Sequence, residues 1–405
     1  MHFNNFELED LYNKYEERVN FSISSACLDP LSINNLYDLV YKFNLQNKTP
    51  NLVSKEEFLT DLADFKIDYS SKFGLDVFQS ALKNKYGNHL NFLSTCGASE
   101  AIVLIFTSLF KAGDKIIVQK PIYSSLYQIA EDIGVEIIDW NYDWSQDFDF
   151  NYAALQSLFY KNLDLKALVI NNPNNPTGVF FNNTELNLLI DLVKKSNAYL
   201  IADEVFKDLV NPDLDLKSVA NLYEKSISIA DVSKSYGLQG LRAGWIAVQD
   251  FALREKFLKQ KNYFSLRTPI LSEYLAAFVL KNAEAILSES RSKIDLAKNT
   301  IFRDSQIVDS KYLKEIVLAK LISFHANDLD FGVSLENVFN KFELCLGIKK
   351  DSLGGLSCFV ELLSNKYSVE ELFNFLIEYK ILLVPGKVYG DDYRDYFRFS
   401  LMILI

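Results

Sequence analysis

The chain has 405 residues, of which 49% are hydrophobic and 23% charged, and its formal net charge is −11. This length allows a large core and two domains in a globular protein. The negative charge disfavours nucleic acid and anionic membrane surfaces as partners. The N-terminus is acidic and lacks the apolar core of a secretory signal, and the apolar run from Ala101 to Phe106 is too short to span a membrane.

The four cysteines, Cys27, Cys96, Cys345 and Cys358, show no CxxC spacing. This pattern is typical of free thiols in a reducing compartment, so we expect a cytoplasmic protein. The three histidines are scattered along the chain, which argues against a histidine-based metal centre. We therefore expect no metal, and chemistry that depends on lysine and a cofactor.

Between about residues 90 and 250, short β-branched or apolar runs alternate with segments of helical period, one of which is Thr184 to Lys195. This alternation predicts an α/β fold with a mostly parallel sheet and helices on both faces. Ligands of such sheets bind at the carboxyl ends of the strands. The predicted strands are Lys115 to Val118, Val135 to Ile138, Ala167 to Ile170, Tyr199 to Ala202, Ser226 to Ala230 and Gly244 to Val248.

The two ends of the chain have a different character. They contain helical stretches, Tyr274 to Leu287 and Val369 to Tyr379, and strand-like pieces, Ser357 to Leu362 and Phe397 to Leu401. We expect both ends to form one smaller α/β domain. The predicted division is an N-terminal segment that joins the small domain (residues 1–50), a large domain (51–275) and a small C-terminal α/β domain (276–405).

A turn of small residues, Cys96-Gly97-Ala98-Ser99, precedes an apolar helical run. Such a turn exposes backbone N–H groups beside the positive end of a helix, which suits a phosphate. Gly97, Ala98 and Ser99 are therefore candidate phosphate-binding residues. The alternative is an ordinary helix N-cap formed by Thr95 or Ser99.

Two further motifs follow predicted strands. Tyr123, in Lys-Pro-Ile-Tyr, could stack on a flat heterocycle, although a tyrosine of the core would give the same pattern. The segment from Asn171 to Gly178 contains four asparagines and two prolines, which is more than a plain turn needs. Within it, Asn175 is a candidate donor to a ring hydroxyl of a ligand.

An acid and a lysine complete the pattern. Asp203 directly follows the strand that ends at Ala202, where a carboxylate could keep a pyridine nitrogen protonated, or could act as a helix N-cap. Lys234 lies in Ser-Lys-Ser-Tyr-Gly-Leu-Gln-Gly-Leu-Arg, between Ser233 and Arg242. Its amine can form a Schiff base with an aldehyde, the glycines allow close approach of a ligand, and Arg242 can bind a phosphate.

Together these motifs resemble the aspartate-aminotransferase superfamily of pyridoxal-phosphate enzymes, fold type I, from about Tyr69 to Arg398. The resemblance implies pyridoxal 5′-phosphate as cofactor and an amino acid as substrate. It also implies a mostly parallel seven-stranded sheet sandwiched by helices, plus a smaller α/β domain. A further implication is a homodimer with shared active sites.

The resemblance assigns a role to each motif. Lys234 carries the cofactor as an internal aldimine and shuttles a proton, and Asp203 pairs with the pyridine nitrogen. Asn175 bonds the ring hydroxyl and Tyr123 stacks on the ring. Arg398 clamps the substrate α-carboxylate beside Asn175. The phosphate is held by Gly97, Ala98, Ser99, Ser233 and Arg242, and by Tyr69 from the neighbouring subunit.

Two positions depart from the usual pattern of the superfamily. Phe206 stands where Asp-x-x-Tyr is common after Asp203, so the hydrogen bond from that tyrosine to the ring hydroxyl is lost. Asp231 stands three residues before Lys234, where a phosphate-binding serine is usual. A carboxylate beside a phosphate dianion is repulsive unless it turns away or binds something else.

The chain also resembles the enzymes that cyclise hydroxylated arginine to capreomycidine or enduracididine. The likeness lies in the segments Leu8 to Asp10, Ile23 to Ser25, Phe206 to Val210 and Leu383 to Gly390. It implies a cyclodehydratase that acts through an external aldimine and a quinonoid, with loss of a side-chain hydroxyl and attack by a guanidine nitrogen. An amino-acid aminotransferase and a pyridoxal-phosphate-dependent arginine oxidase remain open as alternatives.

An arginine-derived substrate needs carboxylates to bind its guanidinium group. Glu9, Asp10 and Asp29 near the N-terminus are the candidates, and their alternative role is that of solvated charges on helices. A non-enzymatic regulator that merely binds the cofactor is disfavoured, because the lysine, aspartate, asparagine and arginine of the motif are all present.

Overall fold

The computed structural model describes residues 4–49, 53–141, 151–302, 310–324, 343–345, 353–363 and 367–404. The strands are β1 (Phe21–Ser22), β2 (Asn91–Thr95), β3 (Lys115–Lys120), β4 (Glu136–Asn141), β5 (Leu165–Asn171), β6 (Tyr199–Asp203), β7 (Ser226–Asp231), β8 (Gly244–Val248), β9 (Glu343–Cys345), β10 (Ser357–Leu363), β11 (Ile381–Leu382), β12 (Val384–Pro385) and β13 (Tyr396–Ser400).

Helices connect most of these strands. They are α1 (Glu7–Tyr15), α2 (Ile33–Gln46), α3 (Lys55–Ala63), α4 (Asp76–Tyr86), α5 (Gly97–Leu109), α6 (Ser125–Ile133), α7 (Tyr152–Lys161), α8 (Asn183–Lys195), α9 (Phe251–Phe264), α10 (Ile270–Lys281), α11 (Ala283–Phe302), α12 (Ser310–Phe324) and α13 (Val369–Glu378).

The largest sheet has seven strands in the order β2-β8-β7-β6-β5-β3-β4. Strand β8 runs antiparallel to its neighbours β2 and β7, and the other pairings are parallel. Both faces are buried: Ile201 packs into the core on one face, and Leu200 and Ala202 pack into the core on the other. Burial on both faces explains the continuous apolar runs and confirms the expected sheet sandwiched by helices.

The carboxyl ends of six strands, all except β8, lie at one edge of this sheet. The register pairs Asn171 with Asp203 across β5 and β6, and pairs Asp231 and Thr95 with the same residue, Gly244, at the start of β8. Motifs that are far apart in sequence, including the loop after Lys120, are therefore neighbours in space. This edge holds the candidate site.

The chain's two ends are joined by hydrogen bonds. Strand β1 pairs in parallel with β11, with Phe21 opposite Ile381, and Ser24 Oγ donates to the carbonyl of Arg398. The C-terminal strands form a second sheet in the order β12-β13-β10-β9. The predicted boundary at residues 50 and 51 lies outside the described residues, so the division into 1–50, 51–275 and 276–405 stays a prediction.

Two details of the predicted elements were wrong. The helix expected from Tyr274 to Leu287 is two helices, because α10 ends at Lys281 and α11 begins at Ala283. Between them, the Asn282 side chain donates to the carbonyl of Phe278 at 2.8 Å and competes with continued helical bonding. Strand β2 was not predicted, since its sequence Asn-Phe-Leu-Ser-Thr has polar residues at both ends.

Candidate active site

A cavity of about 600 Å³ opens at the carboxyl edge of the large sheet. Its floor is made by the strand ends and the loops that follow them, and helix α1 and the turn after β1 cover it from the other side. The chain segments that meet here lie far apart in the sequence, from Phe6 to Arg398. Of the predicted site residues, the cavity is lined by Glu9, Ala98, Ser99, Tyr123, Asn175, Asp203, Ser233, Lys234, Arg242 and Arg398.

One end of the cavity is built to receive an anion. Helix α5 begins at Gly97, and its N-cap residue, Cys96, gives it no side-chain cap, so the N–H groups of its first turn are left for other acceptors. A Cβ added at Gly97, where φ is +80°, would lie 2.3 Å from Nη2 of Arg242. The glycine is therefore required for the guanidinium to lie against the start of the helix. Ser233 Oγ, also in the lining, is buried and has no hydrogen-bond partner among the described residues.

Asp231 is directed into the same end of the cavity. Its Oδ2 accepts the N–H of Ala98 at 3.2 Å, and its Oδ1 accepts the N–H of Ser233 at 2.9 Å. The side chain is 5% exposed. The Asp231 carboxylate, which departs from the usual sequence pattern of the superfamily, thus faces the anion-binding end of the site.

Lys234 lies in the middle of the cavity, and its Nζ is 3.0 Å from Sγ of Cys27. Burial lowers the pKa of this amine, but the contact with Cys27 and the nearby Asp231 outweigh burial, so the pKa is raised above its ordinary value. The ammonium form is therefore favoured before a carbonyl compound arrives. Cys27 was not among the predicted site residues.

Asp203 ends strand β6 and is 4% exposed. Burial raises the pKa of its carboxyl to about 7, and the neighbouring carboxylate of Asp231 adds to the increase. The N–H of Val205, which donates to Asp203 at 3.1 Å, acts in the opposite direction and lowers the pKa. A buried acid of this kind gains strongly from a cationic partner. A protonated heterocyclic nitrogen would be such a partner.

Arg398, on β13, is 2% exposed and has hydrogen bonds to several elements. Its Nε donates to the carbonyl of Ser24 at 2.8 Å, and its Nη1 donates to Tyr389 Oη at 2.8 Å and to Asn175 Oδ1 at 3.1 Å. Its Nη2 donates to the hydroxyl of Tyr12. These contacts fix the plane of the guanidinium. The hydroxyl groups of Tyr12 and Tyr389 accept hydrogen bonds that a substrate carboxylate could accept in their place.

Tyr123 lies on the wall of the cavity, next to helix α1. Its ring packs edge-on against Phe6 with 5.4 Å between centroids, and its hydroxyl donates to Glu9 Oε1 at 3.4 Å. Burial and the nearby Glu9 carboxylate raise the pKa of this hydroxyl. Tyr123 therefore stays neutral, with an aromatic face available for stacking.

The structure separates the three carboxylates that were proposed to bind a guanidinium. Glu9 lines the cavity, whereas Asp10 is exposed and does not line it. Asp29 is exposed beside Gly237 and lines a different, smaller cavity. Tyr69 is 75% exposed and lies outside the cavity of its own chain.

Sequence reasoning missed several residues that surround the site. Tyr12, Asn13 and Glu16 reach the cavity from the same face of the N-terminal helical segment as Glu9. Their spacing of three, four and seven residues after Glu9 was a readable signal of one helix face. Tyr389, in contrast, could not be found in this way, because nothing local to it shows that it meets Arg398.

The residues present fit pyridoxal 5′-phosphate. Backbone N–H groups at the start of helix α5, the Ser233 hydroxyl and Arg242 suit its phosphate, a buried acid suits its pyridine nitrogen, and Lys234 suits its aldehyde. A family model for aminotransferase class I and II matches residues 40–305, well over half of the chain. The chain belongs to this family, and its cofactor is pyridoxal 5′-phosphate.

Among curated relatives, the chain is 23% identical over 398 residues to a probable aspartate aminotransferase of Methanocaldococcus jannaschii, covering 93% of this chain and 94% of the relative. It is 31% identical over 196 residues to capreomycidine synthase of Streptomyces vinaceus, covering 48% of this chain and 50% of that enzyme. Two of the three kinds of enzyme that the sequence suggested are thus represented among these relatives.

Two solved structures support the fold. One is a pyridoxal-phosphate-dependent aminotransferase from Streptococcus suis 89-1591, with a TM-score of 0.78 and 22% identity, covering 100% of this chain and 95% of the other. The second is the pyridoxal-phosphate-dependent cyclase OrfR, with a TM-score of 0.73 and 21% identity, covering 99% and 93%. In the part of the chain that the structure describes, no helix is long and apolar enough to cross a membrane.

Proposed function

We propose that this enzyme converts a hydroxylated L-arginine to a cyclic guanidino amino acid with loss of one water. The observation that carries the proposal is the acidic face of the N-terminal helical segment, from which Glu9 and Glu16 reach the cavity. The partial likeness to capreomycidine synthase and the presence of Phe206 in the lining agree with it. Carboxylates are the preferred partners of a guanidinium group.

The charges of the site also bear on the substrate. Among the described residues that line the cavity, the lysines and arginines are Lys234, Arg242 and Arg398. In our assignment these three serve the cofactor aldehyde, the cofactor phosphate and the substrate α-carboxylate. No cation of this lining is left for a second carboxylate, so the site suits a cationic side chain better than the side chain of aspartate.

The cofactor, when bound, supplies an electron sink that makes the substrate Cα proton acidic. In our proposal Asp203 keeps the pyridine nitrogen protonated, Tyr123 stacks on the ring, and Asn175 and Arg398 orient the substrate. Lys234 takes the proton from Cα and returns it at the end. The side-chain hydroxyl takes up a proton and leaves as water. A guanidine nitrogen forms a bond to the carbon that the hydroxyl left and gives up one proton in return, so one water is lost in total.

In this scheme Glu9 and Glu16 bind the guanidinium of the substrate. They keep the substrate side chain bent, so that its guanidine nitrogen lies near the carbon that loses the hydroxyl. An intramolecular attack gains greatly when the reacting atoms are held close. We also propose a homodimer in which Tyr69 reaches the phosphate of the neighbouring subunit, since its ring is 75% exposed in the single chain. Sedimentation of the wild type, and cofactor affinity of Tyr69→Phe, test that assembly.

The reaction is tested by incubating the purified holoenzyme with β-hydroxyarginine and with γ-hydroxyarginine and following mass. The expected result is a product lighter by one water from one of the two, and no such product from arginine, which has no hydroxyl to lose. The absence of product from both, alongside turnover of a 2-oxo acid, would reject the proposal. Oxygen uptake with arginine as substrate would instead indicate an oxidase.

The second candidate is an amino-acid aminotransferase. The probable aspartate aminotransferase that aligns over 93% of this chain favours it. Its test is the appearance of the pyridoxamine form of the cofactor when amino donors are added without an acceptor. A cofactor that remains an aldehyde with a panel of donors argues against it.

A further inference from the structure

The Asp231 carboxylate lies at the anion-binding end of the cavity, where its negative charge would repel a bound anion. It is the last residue of β7, it is 5% exposed, and it lies opposite Gly244 in the sheet register. From there it reaches across to the start of helix α5. Its two oxygens accept the N–H groups of Ala98 and Ser233 at 3.2 and 2.9 Å.

These two N–H groups are the kind of donors that a phosphate needs. Ala98 belongs to the first turn of α5, whose own N-cap residue, Cys96, provides no side-chain cap, and Ser233 immediately precedes the cofactor lysine. Arg242 lies against the same helix start, within 2.3 Å of where a Cβ on Gly97 would be. A carboxylate offers acceptor oxygens and negative charge at this point, as a phosphate would.

We propose that the Asp231 carboxylate occupies the phosphate site of the cofactor-free protein and competes with the cofactor's phosphate for the Ala98 and Ser233 N–H groups. Two anions cannot share these donors without repulsion, so the carboxylate must turn away when the phosphate enters. The cofactor-free protein is then stabilised internally, and its affinity for the phosphate is lowered. This inference rests on the cofactor of the family and is independent of the reaction proposed above.

The alternative is that Asp231 merely tethers the turn before Lys234 and stays there when the cofactor binds. Asn at this position keeps the shape and one acceptor oxygen but removes the charge, and Ser provides the hydroxyl usual at this position. Asp213→Asn is a matched control, because Asp213 is exposed and lies outside the cavity while the change in net charge is the same.

The experiment titrates cofactor-free wild type, Asp231→Asn, Asp231→Ser and Asp213→Asn with pyridoxal 5′-phosphate and with pyridoxal, which lacks the phosphate. We expect both Asp231 variants to bind pyridoxal 5′-phosphate about tenfold more tightly than wild type, because a like charge is removed from the phosphate site. Their affinity for pyridoxal should change much less, because pyridoxal lacks the phosphate and is influenced by Asp231 only through Lys234 and Asp203. The control variant should match wild type with both ligands.

Inorganic phosphate provides a second measurement that needs no aldehyde chemistry. It should raise the melting temperature of the cofactor-free Asp231 variants more than that of wild type, because at equal ligand concentration a tighter-binding ligand adds more to the stability of the folded protein. Equal affinities of wild type and both variants for pyridoxal 5′-phosphate would overturn the proposal. A gain in the variants' affinity for pyridoxal as large as their gain for pyridoxal 5′-phosphate would overturn it too. If Asp231→Asn does not fold, the comparison of Asp231→Ser with wild type tests the proposal in its place.

Discussion

The Sγ of Cys27 lies 3.0 Å from Nζ of Lys234, although 207 residues separate the two in sequence. The contact brings a turn of the N-terminal segment to the lysine that follows strand β7. It is also the strongest of the influences that raise the pKa of that lysine against the effect of burial. The N-terminal segment is therefore part of the chemical environment of Lys234 as well as a cover over the cavity.

Replacing Cys27 with alanine should lower the pKa of Lys234 and so increase the share of its neutral, nucleophilic form near pH 7 to 8. We expect the cofactor-free variant to take up pyridoxal 5′-phosphate a few times faster than wild type, since the neutral amine is the form that attacks an aldehyde. The growth of the yellow absorbance after mixing measures the rate. Cys96→Ala is the control, because Cys96 is also a half-buried free thiol but does not line the cavity; equal rates in the two variants would contradict the prediction.

Replacing Gly97 with alanine should disrupt the anion-binding end of the site. The new Cβ would lie 2.3 Å from Nη2 of Arg242, and φ is +80°, which disfavours any side chain. We expect affinity for pyridoxal 5′-phosphate to fall by about tenfold or more, because the guanidinium has to move away. Gly113→Ala is a matched control, since φ there is +84° but a Cβ would meet nothing within 4 Å. A similar loss of affinity in both variants would show that backbone strain, and not Arg242, is responsible.

Neutralising the acidic face of the N-terminal helical segment tests substrate charge. Glu9→Gln and Glu16→Gln should each weaken binding of arginine several-fold, as expected for the loss of one partly exposed ion pair of about 1 kcal/mol. Binding of citrulline, the uncharged relative of arginine, should change little. Glu17→Gln is the control, because Glu17 is exposed beside Glu16 but does not line the cavity. Spectral titration of the holoenzyme gives the affinities, and equal effects on arginine and citrulline would contradict the assigned role.

The pKa of Asp203 makes the stability of the cofactor-free protein depend on pH. Burial raises this pKa from 3.8 to about 7, so between these values the folded protein holds a proton that the unfolded chain has released. Stability contributed by the protonated acid is complete below about pH 4 and is lost as pH rises through about 7. Asp203→Asn remains neutral and lacks this dependence.

We therefore expect wild type to lose stability relative to Asp203→Asn as pH rises from about 4.5 to 8, by up to a few kcal/mol. Denaturant unfolding of both cofactor-free proteins at several pH values measures the difference. A buried carboxylate that does not influence Asp203, such as Glu273, affects both proteins equally and cancels in the comparison. A difference that does not change with pH would mean that Asp203 is already ionised in the folded protein.

Much of the sheet could be predicted because strands buried on both faces must be almost wholly apolar, and the runs at Tyr199–Asp203 and Gly244–Val248 are. Where local patterns were ambiguous, prediction failed. The side chain of Asn282 interrupts a predicted helix through a hydrogen bond that is visible only in the folded structure. Strand β2 lies at the edge of the sheet, and its sequence begins and ends with polar residues. In the site, the identity of Lys234 and its neighbours was readable, because a covalent cofactor chemistry demands particular residue types.

The amino-acid sequence by itself determined the family, the cofactor and the motif that surrounds Lys234, since these depend on residue type and spacing along the chain. Only the tertiary structure decided which side chains share the cavity. It brought Glu16, Tyr12 and Cys27 into the site and left Asp10 and Asp29 outside it. The physical reason is that long-range packing of the N-terminal segment against the sheet edge decides which helix face meets the cavity. The spacing after Glu9 shows which residues share a face, but it does not show that this face turns inward.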